Sequence, residues 1–481
     1  VDLREERAFL FNDRYGFNRI YWYRNGSQFY FSSSAACLLA ALPELRSLDE
    51  VSLGEYLACG CVLQNRSLFS RIGLLPPGSL WCFSVQRGSR CGSWFEPSRW
   101  EQLPSLSEKE YCSALVETFR TILPKYFRGN QPIGMSLTGG LDGRMIMAHA
   151  NRPPGSLPCY TFGSRYRENT DVTTARRIAA VFGQPHHVIT LGDDFLEQFP
   201  ALAEKAISVS DGAMDVTGAA ELYVNQAARQ IATVRMTGNY GSEILRGNIA
   251  FGPRLVGQDL FVPEVVELQK SAFATYAAEA QCHPLTFIAF KQVPWHHYSR
   301  LSVELSQLIL RAPYLDNALV ELVYQAPRHL AVSREPAFKV IADGCPKLNR
   351  IPTDRGLVYP PTGVLMFLHN VWREFTFRAE YAFDYGMPQW LASLNRLAGP
   401  MRFENLFLGQ HKFHHFRVWY RDELASHVKN ILLDRRTLGR PYVNASALEN
   451  IVLSHTAGRR NYTREIHKVM SLELLHRQFL D

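Results

Sequence analysis

Runs of aromatic and β-branched residues separated by turn signals fill the first hundred residues of the chain. The apolar runs in FLFNDRYG, RIYWYRNGSQFYFSS and GSLWCFSVQRGSRCGSWFEP have the length and composition of short strands. Asn25-Gly26 lies between two of these runs and is a strong hairpin signal, because glycine readily adopts a positive φ. The pattern therefore predicts a β-rich domain over residues 1–100.

The period of the apolar positions changes after a polar segment with two prolines, PSRWEQLPSLSEKEY, which is typical of a linker. Ser107 followed by Glu110 is the pattern of a capping box at a helix start. Strand-like PIGMSL, LPCYTFG, HHVITL and TVRMTG then alternate with helix-like segments such as NTDVTTARRIAAVFG. This alternation predicts an α/β domain with a parallel sheet over residues 107–350. The pattern is mostly helical from about residue 265 and predicts a helical region over 351–481.

Bulk composition excludes several classes of protein. A chain of 481 residues is too long for one hydrophobic core. With 46% apolar and 20% charged residues it resembles an ordinary globular protein. The formal charge of +7 is mild, so we expect no nucleic-acid partner. No long apolar run indicates a membrane span, and the charged start lacks the apolar core of a signal peptide, so we expect a cytoplasmic location.

The thiols and paired histidines do not form an obvious metal site. The nine cysteines are scattered, and Cys59 and Cys61 lack nearby partners for zinc. Reduced thiols are the simplest interpretation. His186 and His187 are adjacent on a predicted strand, so their side chains face opposite ways, and we predict a structural role for both.

The segment SLTGGLDG is a candidate anion-binding turn between a strand and a helix. Gly139 and Gly140 follow a predicted strand, and Asp142-Gly143 opens a predicted helix. Glycines let backbone amides approach a ligand closely, and the amides at a helix start favour anions. The same turn could be only a tight strand-to-helix connection, with Asp142 capping the helix. The segment lacks the Gly-Lys-Ser/Thr end of a Walker A loop.

Several segments, in order, resemble the asparagine synthetase family. SLTGGLDG resembles its pyrophosphate loop, Ser-Gly-Gly-x-Asp-Ser-Ser, with Thr138 in place of the first serine. MTGNYGSEILRG, RAPYLDNALVELV and EPAFKVIADGCPKLNRIPTDRG resemble later segments of the family. FLFNDRYGFNRIYWYRNGSQFYFSSSAACLLA resembles the second half of a class II glutamine amidotransferase domain, and SLFSRIGLLPPGSLWCFS resembles its exit strand. The resemblance spans essentially the whole chain.

The resemblance implies a fold and a set of functional residues. It implies a partial Ntn-type glutaminase domain, then a PP-loop ATP pyrophosphatase domain of the adenine-nucleotide α-hydrolase type, and ATP and Mg²⁺ as cofactors. Lys339 would stabilise charge as an adenylate forms or collapses, Glu243 would be catalytic, and Asp142 would be a Mg²⁺ ligand. The residues implied to bind ATP or pyrophosphate are Leu137, Thr138, Gly139, Gly140, Asp142, Gly143, Arg144, Phe162, Gly163, Thr237 and Gly238.

The chain departs from the family pattern near the metal. Acidic residues of the family are replaced by Asn239 and Ser242, which weakens the case for a second metal ligand because Mg²⁺ favours anionic oxygen. Our hypothesis is that Arg144 supplies part of the missing positive charge near the phosphates.

The acceptor and donor segments also depart from the family pattern. DVTGAAELY lacks an arginine found in aspartate-using members, so another acceptor, such as a peptide, a β-lactam precursor or a sugar acid, is plausible. Glutamine-hydrolysing members begin with a cysteine whose free amine acts as its base, and Val1 cannot do this. The first half of their domain, with most of the glutamine-binding residues, is also absent. The chain is therefore either truncated or one whose ammonia-releasing half is lost, and the missing Met favours truncation. Asp13 matches the family's aspartate that holds the α-amino group of glutamine.

The leading hypothesis is an ATP-dependent ligase or amidotransferase that forms AMP and pyrophosphate. It would adenylate a carboxylate, which ammonia from glutamine, or an amine, then attacks. A degenerate, non-catalytic relative that binds nucleotide or a partner is the alternative. A plain hydrolase is less consistent with the sequence, which has no Gly-x-Ser-x-Gly elbow. The expected partners are small-molecule, peptide or sugar carboxylates and glutamine or ammonia, with a homodimer as a further expectation.

Overall fold

The computed structural model describes residues 1–84, 86, 88–359, 364–386, 389 and 403–481. The N-terminal region is β-rich, as its aromatic runs predict. Its strands are β1 (Arg7–Phe11), β2 (Tyr21–Asn25), β3 (Gln28–Ser32), β4 (Gly73–Leu74), β5 (Ser79–Ser84) and β6 (Gly88–Ser93). They form two antiparallel sheets, with the orders β1-β5-β6 and β3-β2-β4.

The hairpin of β2 and β3 confirms the signal at Asn25-Gly26. Asn25 pairs with Gln28, so Gly26 and Ser27 alone form the turn. Gly26 has a φ of +56°, a conformation that glycine adopts without strain. Two helices, α1 (Ala35–Ala41) and α2 (Glu50–Cys59), follow the hairpin and were not predicted from the apolar runs.

A five-stranded parallel sheet forms the centre of the α/β domain. Its strands in chain order are β7 (Ile133–Ser136), β8 (Cys159–Ser164), β9 (His186–Leu191), β10 (Val234–Thr237) and β11 (Ile309–Arg311). The order across the sheet is β11-β10-β7-β8-β9, and neighbouring strands are parallel. The predicted alternation is confirmed. β11 corrects it, because this edge strand lies in a stretch that we predicted to be helical and is too short to show a strand period.

Helices connect and cover these strands. They are α3 (Ser98–Glu101), α4 (Glu108–Tyr126), α5 (Leu141–His149), α6 (Thr170–Val181), α7 (Asp193–Val209), α8 (Gly218–Ile231), α9 (Gly241–Arg246), α10 (Pro263–Glu279), α11 (Pro284–Phe287), α12 (Tyr298–Leu305), α13 (Asn317–Tyr324) and α14 (Glu335–Gly344). A π-helical segment, Ile288–His297, joins α11 to α12. Short 3₁₀ turns lie at Pro43–Leu45, Pro313–Leu315, Pro346–Arg350 and Phe403–Leu406.

The helix starts follow from their capping residues. Ser107 Oγ accepts a hydrogen bond from the Glu110 amide at 3.3 Å, and the Glu110 carboxylate accepts one from the Ser107 amide at 3.0 Å. This is the predicted capping box at the start of α4. Asn169 Oδ1 accepts from the Val172 amide at 2.8 Å and starts α6. A cap of this kind stabilises a helix by about 1 kcal/mol.

Two buried clusters hold the layers of the α/β domain together. One contains Met135 of β7, Phe119 of α4 and Ile146 of α5. The other contains Ile189 of β9 and Val224 of α8. Full burial of such side chains contributes about 1.5–3 kcal/mol each. Ile146 is fully buried, so Ile146→Ala would cost about 2–5 kcal/mol of stability.

The C-terminal region is helical over its described residues, as predicted. Its helices are α15 (Val364–Tyr385), α16 (Phe416–Arg421), α17 (Ala425–Leu432), α18 (Arg435–Leu438), α19 (Ala445–Thr456) and α20 (Thr463–Leu475), followed by a π-helical turn, His476–Leu480. Met470 of α20 lies in the same core as Tyr21 of β2. Because the N-terminal and C-terminal regions share this core, it marks no boundary between them, and the domain boundaries stay predictions. None of the described helices has the length and hydropathy that crossing a bilayer requires.

Candidate active site

A cavity lies where β7 and β10 end. The two strands are parallel neighbours, and their carboxyl ends open into a cavity of about 310 Å³. β8 lies on the other side of β7, so the direction of strand connection reverses between β7 and β10. Such reversal points are where open parallel sheets bind ligands. Residues from two loops, 137–143 after β7 and 237–243 after β10, line the cavity.

The first loop is held by residues outside it. The Gly139 amide donates to Asp171 Oδ1 at 2.8 Å, and the Gly140 amide donates to Thr138 Oγ1 at 3.4 Å. A Cβ on Gly139 would lie 3.1 Å from both Asp171 Oδ1 and the Asp354 amide nitrogen, which explains the glycine. Burial and Asp354 raise the pKa of Asp171 to about 7. Leu137, Thr138, Gly140 and Gly143 line the cavity, whereas the Gly139 amide is engaged by Asp171.

The second loop approaches the first very closely. A Cβ on Gly238 would lie 2.7 Å from the Gly143 amide nitrogen, and one on Gly241 would lie 2.5 Å from Asp142 Cγ. Between these glycines, Tyr240 has a φ of +71°, an uncommon conformation for a large side chain. Thr237 Oγ1 accepts from the Asn239 amide at 3.1 Å. The glycines of both sequence motifs therefore permit direct packing of the two loops.

Asp142 is paired with an arginine. Its Oδ1 and Oδ2 accept from Arg246 Nη2 at 2.9 Å and 3.1 Å. Burial raises the pKa of Asp142, and Arg246 opposes that rise. The N-cap of α5 is Gly140, not Asp142, which lies in the first turn. The cap interpretation of Asp142 is thus wrong, and its carboxylate instead joins α5 to α9.

Comparison with known proteins places both loops in one family. Residues 115–297 match the family model described as asparagine synthase, and residues 1–95 match the model described as glutamine amidotransferase domain. The two matches together span more than half of the chain and include both loops of the cavity. The chain is an asparagine synthase-like protein. The matches confirm the family resemblance and the amidotransferase assignment of the N-terminal region.

Curated relatives match with low identity. The chain is 22% identical to asparagine synthetase (glutamine-hydrolyzing) 1 of Bacillus subtilis over 241 residues, 49% of this chain and 36% of the relative. It is 24% identical to "Putative asparagine synthetase (glutamine-hydrolyzing) 2" of Methanocaldococcus jannaschii over 255 residues, 51% of this chain and 48% of the relative. The aligned part thus covers less than half the length of either relative.

Lys339, the expected catalytic lysine, lies outside the cavity of this asparagine synthase-like protein. Its Nζ is 2.9 Å from Glu335 Oε1 and 3.4 Å from Glu108 Oε1. It also contacts Cys112 Sγ at 3.6 Å. These carboxylates raise the pKa of Lys339. The structure places the ammonium between α14 and α4, so it does not support direct contact of Lys339 with a ligand in the cavity.

Arg144 also faces away from the cavity. It is fully buried. Nη1 donates to the Leu348 and Ile351 carbonyls at 2.9 Å and 2.5 Å, and Nη2 donates to the Gly139 carbonyl at 3.1 Å. Burial lowers the pKa of Arg144 to about 10. This corrects the hypothesis of a phosphate contact: the side chain joins the back of the loop to the Pro346–Arg350 turn and the residues after it.

Glu243 does lie in the cavity, beside residues that sequence reasoning missed. Its Oε2 accepts from Ser242 Oγ at 2.9 Å, and its Oε1 lies 3.9 Å from His297 Nε2. Burial lowers the pKa of His297 to about 4, so the imidazole is neutral near pH 7. His297 belongs to no recognisable motif, and only the fold brings it to Glu243.

A second missed feature is a buried charge network beside the cavity. Arg235 Nη1 donates to Asn225 Oδ1 at 2.8 Å and lies 3.4 Å from Glu304 Oε1. Arg300 lies 3.0 Å from Glu304 and 3.2 Å from Glu221. The side chain of Arg300 is 46% exposed, whereas that of Arg235 is 3% exposed. Arg300 is thus the accessible cation of this network.

Phe162 lines the cavity, as the resemblance implies, and has an unexpected neighbour. Phe413, from the segment before α16, also lines the cavity and lies 5.4 Å from the Phe162 ring. The Arg235 guanidinium lies over the Phe162 ring, 5.4 Å from its centroid. Gly163 is not part of the lining. A Cβ there would lie 2.8 Å from Val188 Cγ1, so this glycine serves the packing of β8 on β9.

Asp13, the expected glutamine-binding residue, binds its own loop. Its Oδ1 accepts from the Tyr15 and Phe17 amides at 3.0 Å and 2.9 Å, and its Oδ2 accepts from the Asn18 amide at 2.8 Å. It borders an open apolar groove that Phe11 and Trp94 also line. The carboxylate therefore shapes the turn between β1 and β2, and its role toward glutamine stays a prediction.

The side chains near Asp142 do not fit a metal centre held by the protein. Mg²⁺ requires several oxygen ligands in octahedral geometry. Both oxygens of Asp142 face Arg246, and Ser242 donates to Glu243. Across the described parts of the chain, no group of three or more His, Cys, Asp or Glu side chains could hold a metal ion. His186 bonds Thr161 Oγ1 at 2.8 Å, consistent with the structural role predicted for it.

Proposed function

We propose that the cavity binds ATP and that the chain adenylates a carboxylate, releasing pyrophosphate, before nitrogen attacks the acyl group. The observation that carries this proposal is the pair of glycine-rich loops at the carboxyl ends of β7 and β10, which frame one cavity. Membership among asparagine synthase-like proteins supports an ATP-dependent ligase or amidotransferase. The geometry of the cavity supports a position for each part of ATP and a role for the residues that line it.

The phosphate end of ATP would lie against the start of α5. The N-cap, Gly140, has no side chain to cap the helix, so the first amides of α5 are available for an anion. Helix N-termini bind phosphate because their amides and the helix dipole both favour negative charge. Thr138 and Gly143 flank this position in the cavity lining. These groups support binding of the β- and γ-phosphates.

The adenine would lie against Phe162 and Phe413. Both rings line the cavity, and together they form an apolar wall on one part of it. Stacking on an aromatic ring is worth about 1–3 kcal/mol for a nucleobase. Phe162 lies on β8, the strand next to β7, so this wall and the start of α5 border the cavity from neighbouring strands.

The first chemical step is a displacement at the α-phosphorus. A carboxylate oxygen of the acceptor forms a bond to phosphorus, and the bond from phosphorus to the bridging oxygen of pyrophosphate breaks. The products are an acyl adenylate and pyrophosphate. Position and fixed charge provide most of the acceleration in such phosphoryl chemistry. Arg300, the accessible cation of the network, would orient the acceptor carboxylate.

The second step is attack of nitrogen on the acyl carbon. A new carbon–nitrogen bond forms, AMP leaves, and the nitrogen loses a proton. Glu243 and the neutral imidazole of His297 are two bases that line the cavity, and we assign the proton transfer to them. General bases of this kind contribute roughly 10²–10⁴-fold to a rate. The amidotransferase match at residues 1–95 supports glutamine or ammonia as the source of nitrogen.

Pyrophosphate exchange tests the proposal directly. Labelled pyrophosphate should enter ATP only when a carboxylate acceptor is present, because the exchange reverses adenylation. A panel of free amino acids, peptides and sugar acids would be screened. Glu243→Gln should lower the amide-forming rate at least tenfold and leave exchange within about threefold, because its base acts after adenylation.

Two controls make this test decisive. Glu321→Gln changes an exposed glutamate on α13 and should leave both rates unchanged. A crystal soaked with ATP should show the phosphates beside Gly140 and the base beside Phe162. ATP bound there with no exchange for any acceptor would indicate the non-catalytic alternative. ATP bound elsewhere would refute the proposal.

A further inference from the structure

The pair formed by Asp142 and Arg246 leaves little of the carboxylate free. Both oxygens accept from Arg246 Nη2, and the Ser242 amide also donates to this carboxylate. The side chains are 20% and 12% exposed, so water has little access to the pair. Charged hydrogen bonds in a shielded site are stronger than those on the surface. Asp142 and Arg246 therefore form a shielded, hydrogen-bonded ion pair.

One nitrogen of the Arg246 guanidinium group has no hydrogen-bond acceptor among the described residues. This nitrogen, Nη1, is buried. The alternative explanation is that the ion pair is purely structural and fixes α9 on α5. That explanation accounts for Nη2 but leaves a buried charged donor unsatisfied, which is costly in a protein interior.

Two further arginines, Arg334 and Arg355, lie near one another. Burial and the charges of Arg355 and Arg246 lower the pKa of Arg334. Arg334 and Arg355 line an open pocket with Glu374 and Arg378. The surroundings of this pocket are thus rich in positive charge. A metal centre would instead need clustered carboxylates.

We propose that Arg246 takes the place of a protein-bound divalent cation in this site. It neutralises Asp142 and places a permanent positive charge beside the loop that binds the phosphate end of ATP. The role of Arg246 toward ATP rests on the proposed function. The principal prediction does not, because it concerns the protein without nucleotide. That prediction is that Asp142 does not bind a divalent cation while Arg246 is present.

A titration with Mn²⁺ tests this prediction on the whole chain. Free Mn²⁺ is followed by electron paramagnetic resonance, without nucleotide and without any measurement of activity. Wild type should show no site that depends on Asp142: its Mn²⁺ affinity should match that of Asp142→Asn within twofold. Arg246→Gln keeps a hydrogen-bond donor, removes the charge and should bind Mn²⁺ at least tenfold more tightly than wild type. Adding Asp142→Asn to that variant should abolish the gain.

Arg120→Gln is the matched control. Arg120 lies on the exposed surface of α4 and pairs with Asp343 at 2.7 Å, so it also removes one arginine from a carboxylate. It should leave Mn²⁺ affinity unchanged. A similar gain in this control would show a general effect of lost positive charge and would overturn the proposal.

The comparison of wild type with Asp142→Asn decides the question even when Arg246→Gln fails to fold. Tight binding of Mn²⁺ by wild type that disappears in Asp142→Asn would refute the proposal outright. Circular dichroism would establish that each variant keeps its helices. A second measurement compares ATP affinity with Mg²⁺ and with EDTA, where wild type should change less than threefold and Arg246→Gln at least tenfold. Absence of pyrophosphate exchange would reject the proposed function while leaving the Mn²⁺ result intact.

Discussion

The ring of Phe413 lies 5.4 Å from the ring of Phe162, and both line the cavity at the end of the central sheet. Phe162 belongs to β8, whereas Phe413 comes from the C-terminal region, 251 positions later. The helical region therefore contributes directly to the candidate site. The contact also gives the proposed nucleotide site an apolar wall that the parallel-sheet domain alone does not provide.

Loss of the Phe413 ring should weaken nucleotide binding. We expect Phe413→Ala to raise the Kd for ATP roughly 5–150-fold, because stacking on an aromatic ring contributes about 1–3 kcal/mol per base. Isothermal titration calorimetry with ATP and with free pyrophosphate would measure the effect. Pyrophosphate affinity should stay within twofold, since it lacks the base.

Phe407→Ala is the control for Phe413. Phe407 packs on Phe383 at 5.4 Å and does not line the cavity. Its removal should cost stability but leave ATP affinity unchanged. An equal loss of ATP affinity in both variants would argue for a general disturbance of the C-terminal region and against a base-binding wall.

Gly241 should tolerate no side chain. A Cβ there would lie 2.5 Å from Asp142 Cγ, so Gly241→Ala must separate the two loops. We expect a loss of about 1–3 kcal/mol in unfolding free energy and at least a tenfold loss of ATP affinity. Urea denaturation and calorimetry would measure them.

Gly192 provides the comparison for Gly241. A Cβ at Gly192 would meet nothing within 4 Å, and the residue has a φ of −101°, so alanine fits there. Gly192→Ala should change stability by less than about 1 kcal/mol. If Gly241→Ala behaved the same way, the close approach of the two loops would not be required.

The sequence carried the elements of this fold more clearly than their arrangement. The capping box at Ser107 and the asparagine cap at Asn169 are local signals, because the residues that interact are neighbours along the chain. The order of strands is a non-local property, and the short strand β11 has no period of its own to detect. Motif glycines indicated the position of the cavity because each loop must be narrow enough to pack on the other.

Side-chain direction was the part of the site that sequence could not determine. Thr138 and Gly140 of the first loop lie in the cavity, but Arg144, in the helix that follows, faces away from it toward Ile351. One residue step on a helix turns a side chain by about 100°, so a motif match gives position without orientation. His297 reaches the site only through packing of distant segments, and no spacing rule could identify it.

Replacing Lys339 should have little effect on chemistry. Its ammonium is held between α14 and α4 by Glu335 and Glu108, outside the cavity. We expect Lys339→Ala to change ATP affinity and pyrophosphate exchange less than twofold. Partly exposed ion pairs of this type contribute about 0–1 kcal/mol, so the melting temperature should fall only slightly.

Lys125→Ala is a suitable reference for that measurement. Lys125 is half-exposed on α4 and lies 3.9 Å from Asp316, outside the cavity. Both variants should retain wild-type exchange. A large loss of exchange in Lys339→Ala alone, with unchanged stability, would restore the catalytic role implied by the family resemblance and would require the lysine to move during turnover.

The charge on Asp171 should make stability depend on pH. Burial and the Asp354 carboxylate raise its pKa from 3.8 to about 7. An unfolded chain ionises this carboxyl near pH 4. Between these values the folded chain binds the additional proton, so this group's contribution to stability falls as the pH rises toward 7. Asp171→Asn keeps an acceptor for the Gly139 amide without the charge, and should therefore be more stable than wild type at about pH 8.

The advantage of Asp171→Asn should shrink as the pH falls and disappear near pH 4. Its slope cannot exceed about 1.4 kcal/mol per pH unit for one carboxyl group, and solvent near the cavity will reduce it. Urea unfolding at about pH 5, 6, 7 and 8 would measure the difference, with Asp259→Asn, an exposed aspartate, as the reference. A difference that stays constant across this range would show that Asp171 is ionised throughout, and that the Gly139 amide is held by a carboxylate rather than by a neutral acid.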